Sequence, residues 1–380
     1  MKIVVAPDSF KESLTAMEVA NSIKTGLKKV WPKAEIITCP MADGGEGTVQ
    51  SLVDATGGHL ETRKVHGPLD NEVEAFFGVL GDHQTAVIEM AAASGIHLVP
   101  KHLRNPKITT TYGTGELIKE ALDLGVKKFI IGIGGSSTND GGAGMFQALG
   151  GSLLDQSGKE IAKGGLALRD LKTIDASTLD PRLQDVKIQV ACDVDNPLTG
   201  DKGASAIYGP QKGATKQDIH VLDEALAHYA YLIKTQLGKD VESVPGAGAA
   251  GGLGAGFLAF MPATLESGGK IVTDVTGLES FIQQSDLVIT GEGGMNHQTI
   301  YGKTPVYVAE IAKKYNVPVI AVCGSVSKGY ESVYEAGIDA VFSSLSEVVK
   351  FEELAEVSER HIEQTAENIA RIMNLKKIAN

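Results

Sequence analysis

Carboxylates recur beside glycines and small hydroxyl residues at points where an apolar run has just ended. PDSFK carries Asp8, Ser9 and Lys11, and MADGGEGT carries Asp43, Gly44, Gly45 and Glu46. GIGGSSTNDGGAGM brings Gly134, Gly135, Ser136, Ser137, Asn139 and Asp140; CDVDNPLTG brings Asp193 and Asp195; TGEGGMNHQT brings Glu292 and Gln298. Consecutive glycines let backbone N–H groups converge on an anion, hydroxyls add donors, and a helix opening in such a loop adds partial positive charge. Carboxylates can hold Mg²⁺ by one or two oxygens and can orient or deprotonate an acceptor hydroxyl. The set suits phosphoryl transfer.

Competing chemistries find little support. The nine histidines include no H-E-x-x-H pair, no G-x-S-x-G elbow occurs, and no G-x-x-x-x-G-K-[ST] run is present. Gly246 to Gly251 formally reads G-x-G-x-x-G, but Ser243, Val244 and Pro245 before it form no hydrophobic strand, so a nicotinamide dehydrogenase is the weakest reading. Cys39, Cys192 and Cys323 are too far apart for a disulfide framework or a zinc-ligand pair, and imply reduced thiols in a cytoplasmic protein.

The loops must be held by strands and helices, and the periodicity supplies these in alternation. Lys2 to Ala6 reads as a strand, Thr15 opens a helix with Glu18 in capping-box register, and Glu35 to Cys39 and Gly47 to Ala55 give a second strand and helix. The far end repeats this grammar: strands at Asp286–Thr290, Val317–Cys323 and Ala340–Ser343, a helix from about Thr304 to Tyr315, and a last helix from about Glu352 to Met373. Alternation across Glu61 to Val79, with His66 to Asn71 as the turn region, predicts an antiparallel hairpin, and a helix is expected from about Gly141 to Leu149. The expected fold is α/β in two domains. A parallel-sheet domain comes from both chain ends (1–57 plus 285–380), with an inserted mixed-sheet α/β domain at 58–284.

Composition bounds the partners. Thirty-five Lys and Arg against 47 Asp and Glu give a net charge of -12, a field that repels nucleic acid and anionic membranes. Neither a signal-peptide core nor an apolar run long enough to cross a bilayer is present, so a cytoplasmic location is expected. Glycine supplies 45 of 380 residues, above the usual share of roughly 7%, and concentrates in the loops above.

KIVVAPDSFKESLTAMEVA, PMADGGEGT, IGIGGSSTNDGGAGM, CDVDNPL, GAGAAGGLG and TGEGGMNHQTIYGKTP, in that order, resemble the bacterial type 1 glycerate kinase family over residues 1 to about 345. The resemblance implies ATP-dependent, Mg²⁺-assisted phosphorylation of D-glycerate, generally to 2-phosphoglycerate. It also implies two α/β domains, one flavodoxin-like, with a cleft between them. Carried over, it makes Asp193, Asp43 and Lys11 catalytic candidates and Asp193 and Asp195 metal ligands. Asp8, Ser9, Gly44, Gly45, Glu46, Gly134, Gly135, Ser136, Ser137, Asn139, Asp140, Glu292 and Gln298 become substrate- or phosphate-binding candidates. Asp193 is the first choice for base or metal ligand, and the oligomeric state stays open, a homodimer included. One motif departs from the pattern: Gly294 and Asn296 stand where the family has a basic and an acidic residue. The alternative is therefore a catalytically weakened kinase-like protein that binds sugar acid or nucleotide.

Overall fold

A computed structural model of the chain describes residues 1–11, 13–300, 302–347, 349–350 and 353–375. In chain order its strands are β1 (Lys2–Pro7), β2 (Glu35–Thr38), β3 (His59–His66), β4 (Glu72–Val79), β5 (Thr85–Glu89), β6 (Lys128–Gly132), β7 (Ser152–Leu154) and β8 (Thr173–Asp175). Then follow β9 (Lys187–Ala191), β10 (Ala263–Glu266), β11 (Leu287–Gly291), β12 (Gly294–Met295), β13 (Val319–Cys323), β14 (Ser325–Val326) and β15 (Ala340–Ser343). The chain divides into two compact units, Met1–Asp43 with Gln50–Thr56 and Gly269–Asn380, and Gly44–Val49 with Gly57–Gly268.

The first unit is built on a parallel sheet in the order β15-β13-β11-β1-β2. Numbered within the unit this is 2-1-3-4-5, the flavodoxin-like order. Parallel strands covered on both faces read as continuous apolar runs, and Ile3 to Ala6 in β1 are completely buried. Helices Ala16–Val30 and Leu354–Leu375 pack Val19, Ile23, Ile362 and Ile369 into the same core. The capping box closes as expected: Thr15 Oγ1 accepts from Glu18 N at 3.3 Å and Glu18 Oε2 from Thr15 N at 2.8 Å. The last helix begins, within the described residues, at Leu354; Glu352, its expected start, lies outside them.

The second unit carries a mixed sheet in the order β10-β9-β6-β5-β4-β3. β10, β9, β6 and β5 run parallel, while β3, β4 and β5 are antiparallel neighbours. The β3–β4 hairpin has His66 opposite Glu72, so the turn falls on 67–71. The expected helix at Gly141 is shorter than its pattern, Ala143–Ala148, because Gly141 and Gly142 both hold positive φ. Among the described residues no helix is long and apolar enough to cross a membrane.

Candidate functional site

In the first unit the strand order reverses between β1 and β11. Open parallel sheets bind ligands outside the carboxyl ends of their strands at such a point. Asp8 and Ser9 follow β1 and Glu292 follows β11, and a cavity of about 490 Å³ opens beside them. Asp8, Lys11, Asp43, Glu292, Gly294 and Lys303 line it, with apolar side chains from Phe10 and Leu345.

Two carboxylate centres differ in their chemistry. Asp8 Oδ2 accepts from Thr304 Oγ1 at 2.8 Å and Oδ1 from Ser9 N at 2.7 Å. Loss of hydration and the negative charge of Asp43 outweigh these bonds and push the Asp8 carboxyl up to about 6, within reach of proton transfer near neutral pH. Glu292 is ion-paired instead. Its Oε2 accepts from Lys303 Nζ at 2.9 Å and its Oε1 from Thr299 Oγ1 at 2.5 Å.

Lys303 brings a cation to the cavity from the position preceding the helix Thr304–Lys314, while Gly294 lies in β12, paired in parallel with Ser325 of β14. Asn296 Oδ1 accepts from Gln298 N at 2.8 Å and Asn296 N donates to Thr299 Oγ1 at 3.1 Å, so Asn296 shapes the turn that delivers Thr299 to Glu292. Gln298 is exposed and outside the lining of the cavity.

The second unit gathers a different set at the carboxyl ends of β5, β6 and β9. Glu89, the last residue of β5, is buried and accepts from Val49 N at 2.9 Å and from the N–H groups of Gly47 and Thr48. It caps the helix Thr48–Thr56 from outside. Burial and the charge of exposed Glu46 hold its carboxyl above the usual range. Gly44, at φ +86°, lies where a Cβ would come within 2.7 Å of Ala191 Cβ at the end of β9, and Gly45 Cα lies 3.5 Å from the Cβ position of Gly134. Gly44 thus sits where its backbone tolerates no side chain, and Gly45 packs against Gly134 at ordinary contact distance. Asp193, two residues past β9, is exposed; its Oδ1 accepts from Gly268 N at 3.1 Å, and Asp195 is exposed beyond it.

The serine-rich loop splits into two faces. Gly134 and Gly135 are exposed, whereas Ser136 to Asp140 are buried. Ser137 N and Oγ both donate to Ser94 O, at 3.0 and 2.9 Å, and Asn139 Nδ2 donates to Ser205 Oγ at 2.9 Å. Asp140 accepts from Thr111 N and Oγ1 at 2.9 Å each and from Gly142 N and Gly144 N at 3.2 Å each. Its burial holds the carboxyl above the usual range despite these donors. The glycine run at 246–256 packs against this loop: Gly251 O accepts from Gly141 N at 3.0 Å, and a Cβ on Gly251 would stand 2.0 Å from Thr138 O. Turns, not a strand, precede it.

Sequence reasoning gave no site role to Glu89, Lys212, Lys303 or Thr304, the last two weighed only as the end of a P-loop that the spacing to Gly302 excludes. Lys303 and Thr304 lie within the quoted TGEGGMNHQTIYGKTP, and Lys212 sits in Gly-Pro-Gln-Lys-Gly, a turn signal around a cation. Glu89 ends an ordinary strand and carries no signal.

Comparison with known proteins shows the family of the chain. The sequence profile of the glycerate kinase family matches residues 3–374. A glycerate kinase from Halalkalibacterium halodurans is 56% identical over 375 residues, covering 99% of each chain. A glycerate 2-kinase from Escherichia coli K12 is 53% identical over 97% of each. The crystal structure of glycerate kinase 2 from Salmonella typhimurium LT2 superposes with a TM-score of 0.93 at 52% identity, over 99% of both chains.

Proposed function

The chain belongs to the glycerate kinase family and has that family's phosphotransferase activity, and on this premise we propose that it transfers the γ-phosphoryl group of ATP to the 2-hydroxyl of D-glycerate. The name of the Escherichia coli relative, a glycerate 2-kinase, supports the choice of hydroxyl. The observation that carries the reading is the cavity at the β1/β11 switch point, where a desolvated Asp8 faces Asp43 beside Lys11 and the Lys303–Glu292 pair.

In this reading Asp8 accepts the proton of the acceptor hydroxyl as the phosphoryl group leaves, since its carboxyl titrates close to the operating pH. Asp43 keeps Asp8 basic through like-charge repulsion. Lys11 and Lys303 offset the negative charge of the sugar acid and the transferring group, and the Gly134–Ser137 turn receives phosphate oxygens on its exposed glycines. Mg²⁺ suits Asp193 and Asp195, which offer hard oxygen donors in an exposed loop, because this ion takes one or two carboxylates and completes its shell with phosphate and water. When bound it supplies charge neutralisation on the nucleotide.

A protein that binds sugar acid without turnover is the less favoured reading. Lys303 supplies a cation despite Gly294, and relatives above 50% identity carry the kinase name. An ADP-release assay with D-glycerate and ATP, followed by ³¹P and ¹³C NMR of the product, tests the proposal. A ³¹P signal split by the single proton on C2 is expected; splitting by the two protons on C3 overturns the hydroxyl assignment, and no ADP release overturns the activity.

A further inference from the structure

Lys212 is one of the largest fully buried side chains, 1% exposed. An ammonium is almost never placed there without a partner of full opposite charge. Its hydrogen bonds go to neutral oxygens: Nζ donates to Ser136 Oγ at 2.7 Å and to Thr138 O at 2.7 Å. Burial pushes the ammonium down to about 7, and the charge of Asp140, acting through space, opposes this only in part. A short turn fixes the residue. Pro210–Lys212 is a single 3₁₀ turn, and Gly213 follows at φ +94°, where a Cβ would lie 2.3 Å from Arg104 O. The cation is therefore built in beneath the Gly134–Ser137 turn and does not reach solvent.

The chemistry of Ser136 gives this placement a use. A serine hydroxyl has one donor and two acceptor positions. Lys212 occupies an acceptor position with a charge-assisted bond, which leaves the hydroxyl hydrogen to donate elsewhere and polarises it. Gly135, the next residue back, is exposed at φ +74°. We propose that Lys212 is a positioning residue that orients and polarises the Ser136 hydroxyl as a donor to an anionic oxygen of substrate, and pins the Thr138 carbonyl so that the turn keeps its shape. This rests on the reading of the Gly134–Ser137 turn as a phosphate-handling element.

The test is a double-mutant cycle on kcat and KM for ATP and D-glycerate with Ser136→Ala, Lys212→Gln and both together, alongside thermal melts of each. Gln keeps N–H donors and drops the charge. Ser136→Ala and Lys212→Gln are each expected to lower kcat/KM by about tenfold or more, with the double variant within about twofold of the weaker single, because the lysine acts through the serine. Losses that multiply, or a lower melting temperature with unchanged kcat/KM, would overturn the inference. Wild-type kinetics for Ser136→Ala would instead overturn the reading of the turn itself, a separate outcome. Should Lys212→Gln fail to fold, Lys212→Met, which keeps the apolar stem, takes its place in the same cycle with the same criteria.

Discussion

Lys303 reaches back eleven positions to hold Glu292 at 2.9 Å, and the pair stands in the cavity where Gly294 leaves the family's basic position without a side chain. The cavity therefore carries a cation although Gly294 offers none. Lys303→Met should lower kcat/KM by about tenfold to a hundredfold, the scale of a hydrogen bond between charged groups. Introducing the family's residues as Gly294→Arg with Asn296→Asp should give no gain beyond about twofold, since Lys303 already pairs Glu292 in the cavity and an aspartate at 296 keeps the acceptor oxygen that Gln298 N uses. A several-fold gain would show that the cavity lacks a cation after all.

Asp8 ties activity to pH. If its carboxylate accepts the proton, kcat/KM rises with pH along an acid limb of unit slope with an apparent pKa near 6. The stability effect has the opposite sign. A carboxyl raised from 3.8 to about 6 binds more protons folded than unfolded between those values, so its contribution is full below pH 4 and is lost as pH climbs through 6. Asp8→Asn should therefore abolish turnover yet be more stable than the parent at pH 7.5, by about 1–3 kcal/mol. Urea denaturation at pH 7.5 and pH 4 checks this, and equal stability at both would refute the account.

What the sequence discloses follows from how local each signal is. The β3–β4 hairpin was readable from alternation because its partners lie a few residues apart, and the Thr15–Glu18 cap because both residues sit in one turn. The parallel start through β2 and the shared domain of the two chain ends were legible too, but the pairing of β1 with β11 was not, since β11 lies over 280 residues away and only the closed sheet sets them side by side. The loops carrying Asp8, Asp43, Asp193 and Glu292 could be found by composition. That Asp43 raises Asp8, or that Ser137, Asn139 and Asp140 turn inward while Gly134 and Gly135 face out, depends on tertiary packing that no spacing encodes.

Glu89 shows the same limit from the opposite side, as a carboxylate without a motif that holds one with a motif. Its bond to Val49 N fixes the helix that begins after Gly44, Gly45 and Glu46. Glu89→Ala should cost about 1–2 kcal/mol, as for loss of an N-cap, and raise KM by loosening that loop. Glu89→Gln, which keeps an acceptor oxygen, should recover most of both. Denaturant midpoints and KM for each substrate check the pair; a stability loss with unchanged KM would confine Glu89 to folding.

Asp193 and Asp43 test the proposed division of labour. Asp193→Asn should lower kcat by at least about a hundredfold and weaken the dependence on added Mg²⁺, because an amide is a poor ligand for a hard cation. Asp43→Asn should instead move the acid limb to lower pH, since removing a like charge lets Asp8 ionise more readily. Near wild-type turnover in Asp193→Asn, or an unmoved acid limb in Asp43→Asn, would remove the residue concerned from the machinery.

Asp140 distinguishes a residue that holds the loop from one that touches substrate. Four donors already converge on its buried carboxyl, two from Thr111 and two from the amides at the start of the helix Ala143–Ala148. Removing the acceptor strands these donors in the interior, so Asp140→Ala should destabilise by about 3–5 kcal/mol. Asp140→Asn keeps shape and one acceptor and should fold with a smaller loss. If folded Asp140→Asn retains kcat within about threefold of the parent at 15 °C, the carboxylate serves the turn. A hundredfold loss of kcat with unchanged melting temperature would put Asp140 at the reacting atoms, which its burial and saturated oxygens argue against.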